Sequence, residues 1–465
     1  MNFLILLFSL NLLAETKVTD HLIFSNSRDT VDRTVSNQIL HENFFRSQLL
    51  NFDVLLQLNN RFYFNDPNAK QQPLSFEKLS VARQWRQFEF TGGDFNLQFG
   101  KGIQFSFFKE DVLGINNTLQ GAFLRYTPES FDFQAYGGLI NPLSYPVALY
   151  PTENPLKNRN LLFVGGQAYY KIQKDFKVGS SYFFSSQYQT QRDFIDKQWN
   201  SFGLSVSKEN LLEDLDFYAE SSLQLTQSFT STSTLNLPNS YGSYAGLVYS
   251  PDNWKFIAEA KDYRNETFEF RKPPTLEEDF IENQNIADMT AGKLKIERSL
   301  NNGDTRLSTS YLYGDDRTAV SPVHHATVAI KQKGDLFTDN EIKVGYRYLP
   351  EKLQLWHLDL KTKLPMGTQS IEVGFRKRDS NIFSKNQLDF TFNFSEKFNI
   401  ALGYEYLPTN LTDQHFLNLA STIRMGSFSA KAFVGQTSGG VLCSGGVCRT
   451  VPPYSGAMVE TVVVF

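Results

Sequence analysis

The sequence predicts an all-β fold, a transmembrane antiparallel β-barrel of roughly 20–24 strands with short periplasmic turns and long extracellular loops. Three observations carry that prediction. From about Leu161 onward, strand-like segments of roughly ten residues recur, the length a tilted membrane-crossing strand needs. Their connections alternate between tight (172–176, 250–255, 364–369, 395–399, 424–427) and long (186–199, 227–241, 264–290, 313–323, 378–386, 436–453). The closing stretch 457–465 (AMVETVVVF) alternates as a strand, with its one charge, Glu460, on the face opposite Phe465.

Taken in order, the chain opens with an apolar run at 3–14 (FLILLFSLNLLA), too short to span a bilayer as a helix. It reads as a signal peptide, residues 1–14, removed after Ala14. Residues 15–40 form a segment with three open fates: a periplasmic tail, an extra strand, or a piece held in the lumen. The barrel is expected over 41–465, starting with strands near 42–50, 53–64, 76–84 and 87–96. No later apolar run is long enough for a helical span. A mean hydropathy of -0.34 fits a barrel, because half of each strand faces a polar lumen. Phe (42) and Tyr (21) far exceed Trp (4) and Met (5), a bias toward strands. A net charge of -4 without any Lys/Arg block gives no electrostatic case for nucleic acid, which is not expected as a partner.

The later strands follow period two. Leu388, Phe390, Phe392 and Phe394 alternate with Asp389, Thr391 and Asn393, while Trp356, Leu358 and Leu360 alternate with His357, Asp359 and Lys361. Lipid outside and mixed charge inside explains both patterns. The lumen face then carries Lys343, Arg347, His357, Asp359, Lys361, Lys363, Glu372, Arg376, Arg378, Asp389 and Glu405. These are candidate selectivity residues, since charges of both signs along a pore choose among solutes. They serve equally well as a salt-bridged network that blocks it.

The only two cysteines lie in V-L-C-S-G-G-V-C-R-T. A two-residue turn at Gly445 and Gly446 sets Cys443 opposite Cys448, a geometry suited to a cross-strand disulfide in an exported protein. Farther back, Gly92, Gly93, Gly100 and Gly102 mark bends or close backbone approaches, and Lys109, Glu110 and Asp111 cluster beyond them. Residues 99–117 are a candidate constriction folded inward at the mouth, with an ordinary exposed loop as the alternative. In the longest connection, Pro273 and Pro274 stiffen the chain ahead of Glu277, Glu278, Asp279 and Glu282. No calcium-loop spacing is present there, so a solvated acidic surface is expected.

The stretches 92–121, 261–278 and 439–465 resemble an uncharacterised family of outer-membrane β-barrels typical of Bacteroidota and related Gram-negative bacteria. The elements that carry the resemblance are F-G-x-G, K-D-Y-R-N, P-P-T-L and C-S-G-G-V-C. After Glu278 the chain departs from the family, lacking its His- and Asn-rich continuation. The resemblance implies the fold and brings no activity. The terminal Phe465 likewise looks like the sorting signal read by the barrel-assembly machinery, which with outer-membrane lipid is an expected partner.

An enzyme is not expected. G-x-S-x-G, H-E-x-x-H and P-loop patterns are absent. His324 and His325 point to opposite faces, and His357 with Asp359 lacks a companion nucleophile. No cofactor or metal site is indicated. Too few residues precede the first strand to form the globular plug of a large receptor barrel. The expectation is therefore an integral outer-membrane channel for small solutes. The alternatives are a filled barrel that serves as a scaffold for a partner protein and, third, an outer-membrane hydrolase.

Overall fold

In the computed structural model the alternating segments become one closed antiparallel sheet of 24 spanning strands, from Thr16–Arg28 to Tyr454–Val464. The structure describes residues 16–465 apart from 29–34, 50, 65–71, 111–114, 141–158, 190–193, 230–233, 266–287 (of which Phe270, Arg271, Pro274 and Leu276 are described), 301–302, 317–321, 335–337, 350–352, 381–383, 409–412, 445–446 and 452. Residues 1–14, expected to be a signal peptide, therefore lie outside the described residues. No helix occurs among those described. Every spanning strand pairs with its sequence neighbours, and an even count lets the first pair antiparallel with the last. The seam runs from Thr19 opposite Val464 to Ser27 opposite Gly456. Two main-chain bonds between Val18 and Phe465, at 2.8 and 3.3 Å, finish it.

The barrel reaches further back than expected. Thr16–Arg28 and Val35–Leu49 are both spanning strands paired along their whole length, so the barrel starts at Thr16 rather than residue 41, and of the three fates open to 15–40 the extra strand is the one found. The first strand is hard to recognise because its inward positions, His21 and Ser25 among them, are polar, leaving little apolar run to notice.

Two faces emerge from the pleat. Leu204, Leu294 and Val328 are 63%, 62% and 63% exposed on the outside, where a water-soluble sheet would have to cover them. Aromatics collect at both rims of this face. Near the short connections Trp85, Phe88 and Tyr126 stack in series, as do Tyr249, Phe256 and Trp254. Near the long ones His324 packs among Tyr311, Tyr313 and Tyr348, and Tyr404 and Tyr406 flank His415. An apolar band between two aromatic girdles is the surface of a membrane-spanning barrel.

Connections alternate around the rim that holds both seam ends. Trp85 to Phe88, Gln173 to Phe176, Leu212 to Leu215, Met366 to Gln369 and Met425 to Phe428 are tight turns. The opposite rim carries the long excursions, including 96–118, 141–158 and 265–288. Among these the hairpin of Gly440–Ser444 with Val447–Val451 sets Cys443 directly opposite Cys448 in register; Gly445 and Gly446 lie outside the described residues.

Candidate lumenal site

After the strand Phe88–Phe95 the chain does not rise away from the barrel. It turns inward and down the wall. Gly100 N–H donates to the Tyr169 hydroxyl at 3.1 Å, close to the short-connection end of the strand Arg159–Gln173. Lys101 N–H donates to Tyr218 Oη at 3.0 Å and to Glu220 Oε2 at 2.5 Å, and Ile103 N–H reaches Glu220 Oε1 at 3.2 Å. Gln104 bonds Ser201 at 3.1 Å and accepts from Ser181. The chain then climbs back, and Leu97–Gln98 pairs with Ser106–Phe107 to make a hairpin. Gly100 and Gly102 adopt φ of 52° and 87° in this descent. A Cβ on Gly100 would stand 2.2 Å from the Glu220 carboxylate, so close approach as well as backbone angle demands glycine.

Apolar packing fixes the same hairpin. Phe99, Phe105 and Phe107 are fully or nearly fully buried against Phe123, Tyr136, Phe163, Phe183 and Trp199, all inward-facing wall residues. Phe105 meets the Phe163 and Phe183 rings edge-on at 5.3 and 5.6 Å. Each buried Phe side chain contributes about 1.5–3 kcal/mol, which together with the main-chain bonds to Tyr169, Tyr218 and Glu220 offsets the cost of ordering the hairpin.

A second segment enters beside it. Phe270 accepts the Ser106 N–H at 2.9 Å and lies 6.0 Å from Phe107. Leu276 is fully buried with Ile103, Tyr244, Tyr263, Met289 and Leu312. The Arg271 guanidinium and the Lys261 ammonium lie over the Tyr263 ring at 5.6 and 5.7 Å. The F-G-x-G, K-D-Y-R-N and P-P-T-L elements, far apart in sequence, thus meet at one place inside the barrel. The start of the longest connection is anchored inside by Phe270 and Leu276, ahead of the acidic residues for which a solvated surface is expected. Its acidic residues Glu277, Glu278, Asp279 and Glu282 lie outside the described residues.

Of the candidate constriction residues, Gly100 and Gly102 sit at the deepest point of the hairpin. Lys109 and Glu110 pair by backbone with Ile115–Asn116, and Asp111 lies outside the described residues.

A charged arc lies farther round the wall. The register places Lys343, Arg347, His357, Asp359, Lys361, Glu372, Arg376, Arg378, Asp389 and Glu405 on the lumen face of five consecutive strands, from Asp339–Leu349 to Phe398–Leu407. Asp359 binds Arg378 through two contacts, at 2.7 and 3.2 Å, and Arg376 at 3.4 Å. Lys363 pairs with Glu372 at 3.0 Å, Lys361 with Asp339 at 3.7 Å, and Glu405 with Lys385 at 3.2 Å. Asp389 accepts from Gln387 at 2.9 Å. These partners sit along the wall on the same, adjacent or next strands, so these ion pairs neutralise charge laterally. Arg347 and Lys343 continue the same row, and a polar cavity of about 250 Å³ opens beside Lys343, His325 and Leu276.

His325 and His357 supply a contact that sequence reasoning missed. Their Nε2 atoms lie 2.8 Å apart, both side chains buried. His324 faces outward. Glu220, Tyr218 and Tyr169 were missed as well; the only sequence signal is a lone acid, Glu220, at an inward position of an otherwise neutral stretch (FYAESSLQL).

A closed 24-strand barrel with an apolar belt, a charged interior and an inward hairpin defines a large barrel of the outer-membrane kind. Residues 389–465 match the model of a family described as a "Family of unknown function (DUF6029)". No curated protein matches the chain. Among solved structures it is similar to the Escherichia coli P pilus tip assembly intermediate PapC-PapD-PapK-PapG, at 10% identity and a TM-score of 0.54, covering 97% of this chain and 60% of that one. It is also similar to the siderophore receptor PirA from Pseudomonas aeruginosa (6% identity, TM-score 0.52, 97% of this chain and 80% of that one). The ferric enterobactin receptor PfeA from the same species stands at 7% identity, TM-score 0.52 and the same coverage. At such identities the likeness extends to the fold alone.

Proposed function

We propose that this chain is an integral outer-membrane channel for small solutes, exported by a signal cleaved after Ala14 and narrowed from within by the 97–107 hairpin. The observation that carries the reading is that hairpin: a loop bonded along the lumenal wall at Tyr169, Glu220 and Ser201 reduces a wide bore instead of capping it. Barrels of 16–18 strands already enclose an aqueous channel, so one of 24 strands needs such a segment to discriminate small solutes. Phe465, hydrogen-bonded to the first strand, would serve as the residue read by the assembly machinery. The lateral ion pairing of the charged arc favours a lined bore over a blocked one.

The described arc also favours anions. Lys343, Arg347, Lys361, Lys363, Arg376, Arg378 and Lys385 outnumber Asp339, Glu341, Asp359, Glu372, Asp389 and Glu405 on its inward positions, and Lys331 on the preceding strand Val323–Gln332 adds to them. Planar-bilayer recording of the purified protein tests the proposal. Stepwise conductance with an anion-selective reversal potential supports it. A folded, heat-modifiable barrel that conducts nothing would refute it and favour the scaffold.

A further inference from the structure

We infer that His325 and His357 form a binding site for a borderline transition-metal ion, of the Zn²⁺, Ni²⁺ or Cu²⁺ class, on the lumenal wall. The two residues belong to strands that are not neighbours, Val323–Gln332 and Leu353–Met366, with Asp339–Leu349 between them. Their rings meet above the middle strand because Gly345 stands there: a Cβ at that position would lie 1.9 Å from His357 Nε2. The pocket for the two imidazoles is thus built from three strands and depends on one missing methyl group. Both rings are buried, with exposures of 4% and 2%, and both present Nε2 to the same point, 2.8 Å apart.

Two imidazole nitrogens bound to one ion at about 2.0–2.1 Å stand about 3.0–3.4 Å apart, so a few tenths of an ångström of opening admits the metal. Behind His357, Nδ1 faces Asp359 Oδ2 at 3.8 Å, and Asp359 is itself held by Arg376 and Arg378. That distance is longer than a hydrogen bond, so Asp359 can orient the ring and raise its basicity only once the small opening that admits the ion brings Nδ1–H within its reach. Without an ion, one Nε2–H bridges the pair as a hydrogen bond; for both Nε2 atoms to ligate, that ring must carry its proton on Nδ1 instead, a tautomer change with no net loss of a proton. Among the described residues no group of three or more His, Cys, Asp and Glu gathers as a complete metal site, so water completes the coordination. Two neutral nitrogen donors beside the cationic Arg347 and Lys343 disfavour Ca²⁺ and Mg²⁺, which need oxygen ligands.

The test is calorimetric titration of the folded full-length barrel in detergent with ZnCl₂ or NiCl₂, using MgCl₂ as the control. One Zn²⁺ or Ni²⁺ per chain is expected, with no Mg²⁺ uptake. His325→Ala and His357→Ala should each remove binding, Asp359→Asn should weaken it about 10–100-fold, and His324→Ala, on the outer face, should leave it unchanged. Gly345→Ala keeps both histidines yet displaces the His357 ring, so loss of binding in that variant, at unchanged heat-modifiability, supports the built pocket even where a histidine variant fails to fold. No Zn²⁺ or Ni²⁺ uptake by the wild type, or uptake unchanged in both histidine variants, overturns the inference and leaves a hydrogen-bonded pair alone. The readout does not depend on conductance, so it stands or falls apart from the channel proposal.

Discussion

The carboxylate of Glu220 accepts the main-chain N–H of Lys101 at 2.5 Å and that of Ile103 at 3.2 Å, tying the floor of the inward hairpin to the opposite side of a wall strand. One buried side chain therefore satisfies the main-chain N–H of Ile103 and shares that of Lys101 with the Tyr218 hydroxyl. Glu220→Ala should leave the Ile103 donor unsatisfied at a cost of about 1–3 kcal/mol and the Lys101 donor with Tyr218 alone, release the hairpin, and raise single-channel conductance. The barrel strands are untouched by the change, so heat-modifiability should persist. Conductance equal to wild type in a folded Glu220→Ala protein would show that the hairpin does not set the bore.

The charged arc should set ion preference. Replacing Arg376 and Arg378 together by Ala removes two inward cations and uncovers Asp359. The reversal potential in a salt gradient should move toward cation preference, by an amount that shrinks as ionic strength rises, because screening shortens the reach of each charge to about 10 Å at 0.1 M. A reversal potential that does not move would place the selective region elsewhere.

Cys443 and Cys448 face each other in register on the outer hairpin, which suits a cross-strand disulfide in an oxidising compartment. Maleimide labelling of the protein isolated from membranes should fail before reduction and succeed at both positions after it. Labelling without reductant would refute the bond.

At the seam, His21 bridges Glu42 at 2.8 Å and Glu460 at 3.0 Å, linking the second strand to the last across the first. His21→Ala leaves two carboxylates facing each other on the lumen wall, and the loss should be about 1–3 kcal/mol. Electrophoretic unfolding of the barrel should then occur at a lower temperature than for wild type, while the His21→Gln variant recovers part of the difference.

Much of the architecture was legible because a barrel wall has only one repeating rule. Leu388, Phe390 and Phe392 against Asp389, Thr391 and Asn393 state that rule locally, and alternating connection lengths carry it around the ring. The eleven candidate selectivity residues share one face for the same reason: register in a closed sheet follows from counting. What escaped were contacts that cross strands without following the pleat. Glu220 meeting Ile103 joins residues more than a hundred positions apart, and nothing local in FYAESS announces it. The meeting of His325 with His357 depends on Gly345, a residue whose role is to be absent from the space above it. The first strand escaped for a different reason, since His21 and Ser25 interrupt the apolar pattern at inward positions where polarity costs nothing.

The seam has a consequence for the order in which this molecule is made. Every other spanning pair joins neighbours in the chain, so those hairpins can zip together with short loops to close. Pairing of Thr16–Arg28 with Tyr454–Val464 alone requires two ends separated by nearly the whole sequence to find each other. Until they do, both carry a row of unmatched amide and carbonyl groups, which in lipid have no water to turn to and in water invite the edge of another chain. Biogenesis must therefore shelter these two edges as a pair, and a slow step at closure is where misassembly of this protein would begin.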